Sequence, residues 1–478
     1  MANTVINQSP LYRDNLVGQP LLFGVTNDVD VATETKVKFV AEVYVDDIWP
    51  TVTPTNLIGV FKTTPNNDGT GQWDLRNIIE SFCSPDNMAT NKSTYKGTLT
   101  SDTSPHPLHI VDKWSQSENL AIYFRCVFYL ECLGGDPVFP NMVAKKAGTE
   151  IYSSYYRCWD GYVKNTDIMN KSNSANPNFS FNYGFSLTPF YIYVVLSKKQ
   201  QRYLTNMPMV TKCNINDYGT ISMFVAWTSF TQIVCNFHNE SGTILGTEIV
   251  PKDAVNGAYG NFTGQTNQLI LHFGCYPGNF QNWSPTFQAL VSAGTIQGGY
   301  ITVQCTTNSL ATASESLKIN INCPDLKGYE PVRLCWLNQY GAWDYWTFTK
   351  KSTRKLKAKP TTWSQLATTW NERHNKIEGF RGGKKEFKRH SLENWTINTD
   401  YELESYNVIF EELMNSPEVY MLHPHSTADE RYADKSSKYV TPVRITDTDW
   451  TYKTHANDSL IQYTFKIELS KILRTQQV

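Results

Sequence analysis

Along residues 36–46, KVKFVAEVYVD, the apolar positions alternate: Val37, Phe39, Ala41, Val43 and Val45 fall on one side, and mostly polar residues fall on the other. A period of two sends successive side chains to opposite faces of a pleated strand, so this stretch is predicted to be a half-buried β-strand. LIGVFKT repeats the pattern, and LAIYFRCVFYLE carries Leu120, Ile122, Phe124, Cys126, Phe128 and Leu130 in register. Further on, FYIYVVLS, TISMFVAWT, TQIVCNFHN, QLILHFG and GYITVQC are short, rich in β-branched and aromatic residues, and separated by Gly, Asn and Asp turns. Strands of that length at that spacing predict an all-β sandwich. HNESGTILG is a hairpin loop in which Gly242 supplies the positive φ of the turn. VRLCWLN and WDYWTFTK flank QYGA, which predicts a second hairpin reversing at Gly341. Val332, Leu334 and Trp336 then share one face, Trp346 and Phe348 share a face of the return strand, and this aromatic block is assigned to the core. YVTPVRIT, WTYKTH and LIQYTFKIEL predict the closing strands.

Helical spacing is rarer. WDLRNIIESFC predicts a short helix capped by Asp74 that buries Ile78, Ile79 and Phe82. TTWSQLATTWNERH sets Trp363, Leu366 and Trp370 at helical intervals, and ELESYNVIFEELMNSPEV aligns Leu403, Tyr406, Phe410 and Leu413 on one stripe that Pro417 ends. The tract from Gly134 to Asn182 is rich in Gly, Pro, Ser and Asn and predicts long loops around a strand pair in IYSSYYRCWDGYV, as at an interaction surface. These patterns predict a mainly β protein of several β-sandwich, immunoglobulin-like domains with a few short helices. The expected divisions are an N-terminal sandwich-like domain over 1–135, a loop-rich tract plus central sandwich over 136–325, and a C-terminal β domain with a basic segment over 326–478.

Composition agrees and adds one feature. The chain has 478 residues, enough for two to four cores without metal or disulfide staples, and it is 13% aromatic and 18% charged. Ten cysteines are scattered without C-x-x-C spacing, several of them inside apolar strands, which predicts reduced, buried thiols. The N-terminal MANTVINQSPLYRDN lacks a signal-peptide pattern and no run reaches membrane-spanning length, so synthesis in a cytosol and a soluble product are expected, and the N-x-T triplets at Asn261 and Asn394 carry no weight. The formal charge of −1 hides an asymmetry: from Lys350 to His390 thirteen Lys or Arg face three Glu (Glu372, Glu378 and Glu386), a net +10 that leaves −11 for the rest. Lys350, Lys351, Arg354, Lys355, Lys357, Lys359, Arg381, Lys384, Lys385, Lys388 and Arg389 are therefore candidates for an assembly surface or for one lining a lumen filled with DNA.

No chemistry-bearing motif accompanies them. G-x-S-x-G, a P-loop, H-E-x-x-H and a dinucleotide fingerprint are absent. His106 and His109, like His423 and His425, sit close together but lack the Cys or carboxylate neighbours of a closed metal site. Glu411 and Glu412 are adjacent on a helix and point in different directions, which makes a poor acid/base pair. Trp283 and Trp343, in turn-like contexts, are the candidates for stacking on a glycan. No catalytic residue, cofactor or metal is expected.

Read in order, KFVAEVYVDD, GQWDLRNIIESF, RYLTNMP, VRLCWLNQYGAWDYWTF, NSPEV and YVTPVRITD resemble virion structural proteins of podovirus-type tailed bacteriophages, particularly tail or neck ring components of crAss-like and related marine phages. The tract from Gly134 to Asn182 has no counterpart in that pattern. The resemblance implies β-domains assembled with copies of the same chain into a ring, commonly of twelve, around the DNA channel. It also implies contacts with other tail or portal-proximal proteins, non-specific contact with packaged DNA, and assembly in the host cytoplasm without a membrane. It supplies no active-site residues. The alternative role is a peripheral tail adaptor or a receptor- or glycan-binding protein.

Overall fold

A computed structural model describes the chain apart from residues 1–3, 11–13, 47–54, 90–106, 118, 163–193, 196–199, 202, 225–229, 252–269, 308, 323–328, 370–371, 426–439, 448, 450, 452–459, 470–472 and 475–478. The protein is mainly β, with several sheets and a few short helices. It divides into two compact units. One comprises Met1–Asn322, Leu337–Asp344 and Pro424–Ser436, and the other Cys323–Trp336, Tyr345–His423 and Ser437–Val478.

In the first unit a sandwich forms where the sequence alternates. Lys38–Asp46 pairs on one side with Leu57–Thr63 and on the other with Ala121–Leu133, inside a seven-stranded sheet. A three-stranded sheet of Val5–Gln8, Leu22–Thr26 and Thr70–Asp74 accompanies it. The inward residues Phe23, Val25, Phe39, Val43, Phe124, Phe128 and Leu130 are buried together, and the Phe23 ring lies 6.2 Å from Phe124 and 5.6 Å from Phe128. Burying one such ring stabilises the fold by about 1.5–3 kcal/mol. Further along, Gln232–His238 pairs with Ile244–Pro251 and Tyr300–Thr306 in a five-stranded sheet, and the loop after His238 reverses with Gly242 at φ +88°. The boundary expected at 135 is bridged by hydrogen-bonded strands: Trp114–Gln116 pairs with Ile270–Gly274, and Tyr156–Trp159 with Ala121–Leu133.

The second unit is built on an eight-stranded sheet. Its centre holds Val332–Leu337, Val419–Leu422, Val440–Ile445 and Leu460–Leu469. The helix Asn407–Asn415 buries Ile409, Phe410 and Leu413. The Phe410 ring meets Tyr463 at 4.6 Å, Trp346 at 5.4 Å and Phe465 at 5.5 Å. The aromatic hairpin is core, as its alternation predicts. Val332–Leu337 and Trp343–Phe348 are buried at every position, and Gly341 has φ +72°.

Three local expectations need correction. TTWSQLATTWNERH is not a helix: Thr353–Gln365 is one strand, with Trp363 within it, Leu366 just beyond it, and Trp370 outside the described residues. The helix after Asp74 is a single turn, Arg76–Glu80, too short to turn three apolar residues inward, so Ile79 is buried while Phe82 is exposed. Asp74 still accepts a hydrogen bond from the backbone N–H of Arg76 at 3.0 Å. The stripe expected on ELESYNVIFEELMN starts late, because Leu403 closes a strand and is exposed. Three helices, Asp28–Thr33 and the consecutive pair Pro277–Trp283 and Pro285–Ser292, lie where no helix was expected. The Ser284-Pro285 step signals the last of them: Ser284 Oγ accepts from the N–H of Phe287 at 3.0 Å, and proline fits the first helical position. Most of FYIYVVLS and WTYKTH lies outside the described residues.

Candidate functional site

The basic segment forms a two-stranded antiparallel ribbon. Thr353–Gln365 runs beside the first half of Gly383–Leu403, with Thr353 opposite Thr396 at the base and Gln365 opposite Gly383 at the far end. Near its base the second strand also pairs with Leu460–Leu469, from Asn394 to Leu403, and with Leu473–Arg474 at Ser391 and His390, so the ribbon is two-stranded only beyond that point. Thr353–Gln365 is the last strand of the sheet, and every residue from Thr353 to Ser364 is exposed. At about 3.3 Å per residue its thirteen residues span roughly 40 Å. A strand wet on both faces does not come from hydrophobic burial within its own unit.

Its far end is apolar. Ile377 is 85% exposed, Phe380 76% and Leu366 63%, with Trp363 and Phe387 also on the surface. Hydrogen bonds cross this end: Thr368 bridges Ile377, the Glu378 N–H donates to Ala367 O at 2.9 Å, and Lys385 Nζ donates to Phe380 O at 3.0 Å. Exposed aliphatic and aromatic side chains gathered at the end of a projecting element are the composition of a docking surface.

Every candidate cation can now be placed. Lys350 precedes the ribbon and pairs with Asp400 at 2.9 Å. Lys351 is exposed, and its carbonyl accepts from Asn398 Nδ2. Arg354 pairs with Glu330 and lies over the Trp395 ring at 3.9 Å. Arg381 pairs with Glu378 at 2.7 Å, and Arg389 with Glu386 at 2.6 Å. Such exposed pairs stabilise by about 0–1 kcal/mol and mainly hold side chains in place. Lys385 is held by Gln365 and Phe380. Lys355, Lys357, Lys359, Lys384 and Lys388 make no ion pair among the described residues.

A second constellation is one the sequence does not announce. Ser222 and His272 are direct cross-strand partners, Ser222 Oγ lies 2.8 Å from His272 Nδ1, and His272 Nε2 lies 3.2 Å from Asp86 Oδ2. The serine is 2% exposed, the histidine 0% and the aspartate 3%. A nucleophile has to be reachable by its substrate, and this relay is sealed. Asp86 is further engaged by the Asn119 N–H at its carboxylate and by the Trp343 indole N–H at its carbonyl, 2.9 Å away. The arrangement acts as a polar brace between strands. Residues 86, 222 and 272 are too far apart in the chain for local pattern to link them.

The remaining sequence candidates are dispersed. His109 is buried with its ring 5.0 Å from Trp343, His425 Nδ1 meets the Tyr218 hydroxyl at 2.7 Å, and His423 Nε2 meets the Thr441 hydroxyl at 3.1 Å. His106 lies outside the described residues. Among the described residues no group of three or more His, Cys, Asp or Glu could hold a metal ion. Nine described cysteines are buried thiols outside any disulfide, and burial pushes the Cys126 and Cys335 thiols well above their ordinary range, which suits packing rather than nucleophilic work. Trp343 is buried and cannot stack on a glycan, while Trp283 is half-buried under Lys113, 4.6 Å from its ring centre. No family model matches this sequence, and no curated protein matches it either.

Proposed function

We propose that this chain is a structural component of a podovirus-type phage tail or neck ring, assembling with copies of itself around the DNA channel and joining neighbouring tail proteins. Its role is mechanical, not catalytic. The observation that carries the reading is the ribbon: a hydrogen-bonded arm, wet on both faces, with an apolar end that its own unit leaves exposed. Arms of this kind reach across to a neighbouring subunit and bury their ends there. A second exposed apolar group, Val138, Phe139 and Met142, lies in the turn after Ala121–Leu133, inside the tract expected to form an interaction surface. Rigid β-units with buried thiols suit assembly in a reducing cytoplasm. Of the two tryptophans considered for stacking on a glycan, Trp343 is buried.

Light scattering and electron microscopy of the purified chain test this directly. Closed oligomers are expected, and I377D/F380D at the arm's end should shift them toward monomer without changing the melting temperature. A wild-type chain that stays monomeric at high concentration and is missing from any virion defeats the reading.

A further inference from the structure

The ribbon's charges are sorted between its two faces. Alternation puts Lys355, Lys357 and Lys359 on one face, opposite Asn394, Leu392 and His390, with Lys388 opposite Thr361. The other face carries Arg354, Arg389 and Lys384, and it also carries both acids of the paired ribbon strands: Glu386 opposite Thr362, and Glu393 opposite Leu356. There the arginines are already paired, Arg354 with Glu330 and Arg389 with Glu386, and Glu393 accepts the Trp395 indole N–H at 2.8 Å. The nearest acid toward the lysine face from the adjoining strand is Glu468, opposite Asn394, and Arg444 holds it at 3.0 Å. Among the described residues, four lysines therefore lie within about 20 Å on a face without a facing free carboxylate.

We propose that this lysine face binds the phosphate backbone of double-stranded nucleic acid without reading its sequence. Every second residue of a strand is about 6.6 Å further on, so a strand lying along the helix axis sets successive lysines at about twice the roughly 3.4 Å axial rise per phosphate of one DNA strand. Beside this row the sheet is three strands wide, because Leu473–Arg474 pairs with Ser391 and His390, so the lysines meet the duplex as a face. Flexible lysine stems supply charge without imposing the fork geometry that base readout uses. An acidic protein surface would need no such regular row, and the arginines suited to bidentate carboxylate pairing are on the opposite face. The site rests on the ribbon alone and stands or falls apart from the tail assignment.

The test is fluorescence anisotropy of a random-sequence DNA duplex titrated with the full-length chain between about 50 and 200 mM salt. Wild type is expected to bind with a steep salt dependence. K355Q/K357Q/K359Q should bind at least about tenfold more weakly, with the slope of log K against log salt reduced by about 2.7, or 0.9 per lost phosphate contact. The other-face variant R354Q/R389Q should stay within about twofold of wild type, and near-ultraviolet circular dichroism of both variants should match wild type, because these side chains are exposed. Three results overturn the proposal: no wild-type binding at the lowest salt, equal losses from both faces, or a polyglutamate competitor that binds the lysine face as tightly as DNA, which would make the partner an acidic protein. Light scattering on the same variants reads assembly separately, so loss of oligomers with intact DNA binding would count against the lysine face and leave the ring reading in place.

Discussion

Asp344 shows how a single residue is governed by its surroundings. It lies at the end of the aromatic hairpin's tip, fully buried, where Thr205 Oγ1 donates to its Oδ1 at 2.5 Å. Burial pushes its carboxyl up to about 7, against the opposing pull of the Thr205 and Asn338 hydrogen bonds. A raised carboxyl holds its proton in the folded state at pH values where the unfolded chain has lost it. Its contribution to stability is therefore present below about pH 4 and fades as pH rises through about 7. Replacing it with the neutral isostere, Asp344→Asn, should raise the melting temperature more at pH 8.5 than at pH 5, with a difference on the order of 2–4 kcal/mol between the two conditions. An equal shift at both pH values would show that the carboxyl is ionised throughout. Neighbouring contacts explain the site's order: Asn338 Nδ2 donates to Leu204 O at 2.9 Å, and the Tyr340 hydroxyl donates to Asn206 Oδ1 at 3.0 Å. Thus RYLTNMP and the hairpin tip, far apart in sequence, are physical partners.

At the scale of elements, the strands that alternate most cleanly are those with one wet face and one dry face. Lys38–Asp46 and Leu460–Leu469 alternate cleanly because burial selects every second side chain. The ribbon is different. With both faces exposed, no burial imposes a period of two, and the chance spacing of Trp363 and Leu366 suggests a helix instead. What makes Thr353–Gln365 a strand is the ladder to Gly383–Thr396, a long-range pairing that no local window contains. The helix Asn407–Asn415 was legible for the opposite reason, since its apolar stripe matches its packing. Phe410→Ala should cost about 3–5 kcal/mol in denaturant unfolding, as it empties the space among Trp346, Tyr463 and Phe465. A loss below about 1 kcal/mol would mean that those rings do not form a shared core.

For the whole molecule, the division into units follows contacts rather than chain order. Residues Leu337–Asp344 interrupt the second unit and belong to the first, where Trp343 donates to Asp86 O and Tyr162 N–H donates to Gln339 O at 2.8 Å. A fragment ending at residue 322 keeps most of the first unit but lacks that tip. It should unfold at a lower temperature than the same unit in the full chain, bind a hydrophobic dye, and be cut by protease near Asp86 and Tyr203. A fragment as stable and as resistant as the intact protein would show that the tip adds nothing to the unit's core.

From the sequence alone came the β class, the main strand positions, the buried thiols, the core role of VRLCWLNQYGAWDYWTF and the location of the excess positive charge, because each follows from local period, composition or spacing. Tertiary structure decided what depends on partners distant in the chain. It joined Ser222, His272 and Asp86 into a sealed brace, seated the hairpin tip against residues 203–207, and turned a basic segment into an arm with lysines on one face and paired arginines on the other. Strand register sets which side chains share a face, and register is a property of two segments together, so one segment's sequence cannot contain it.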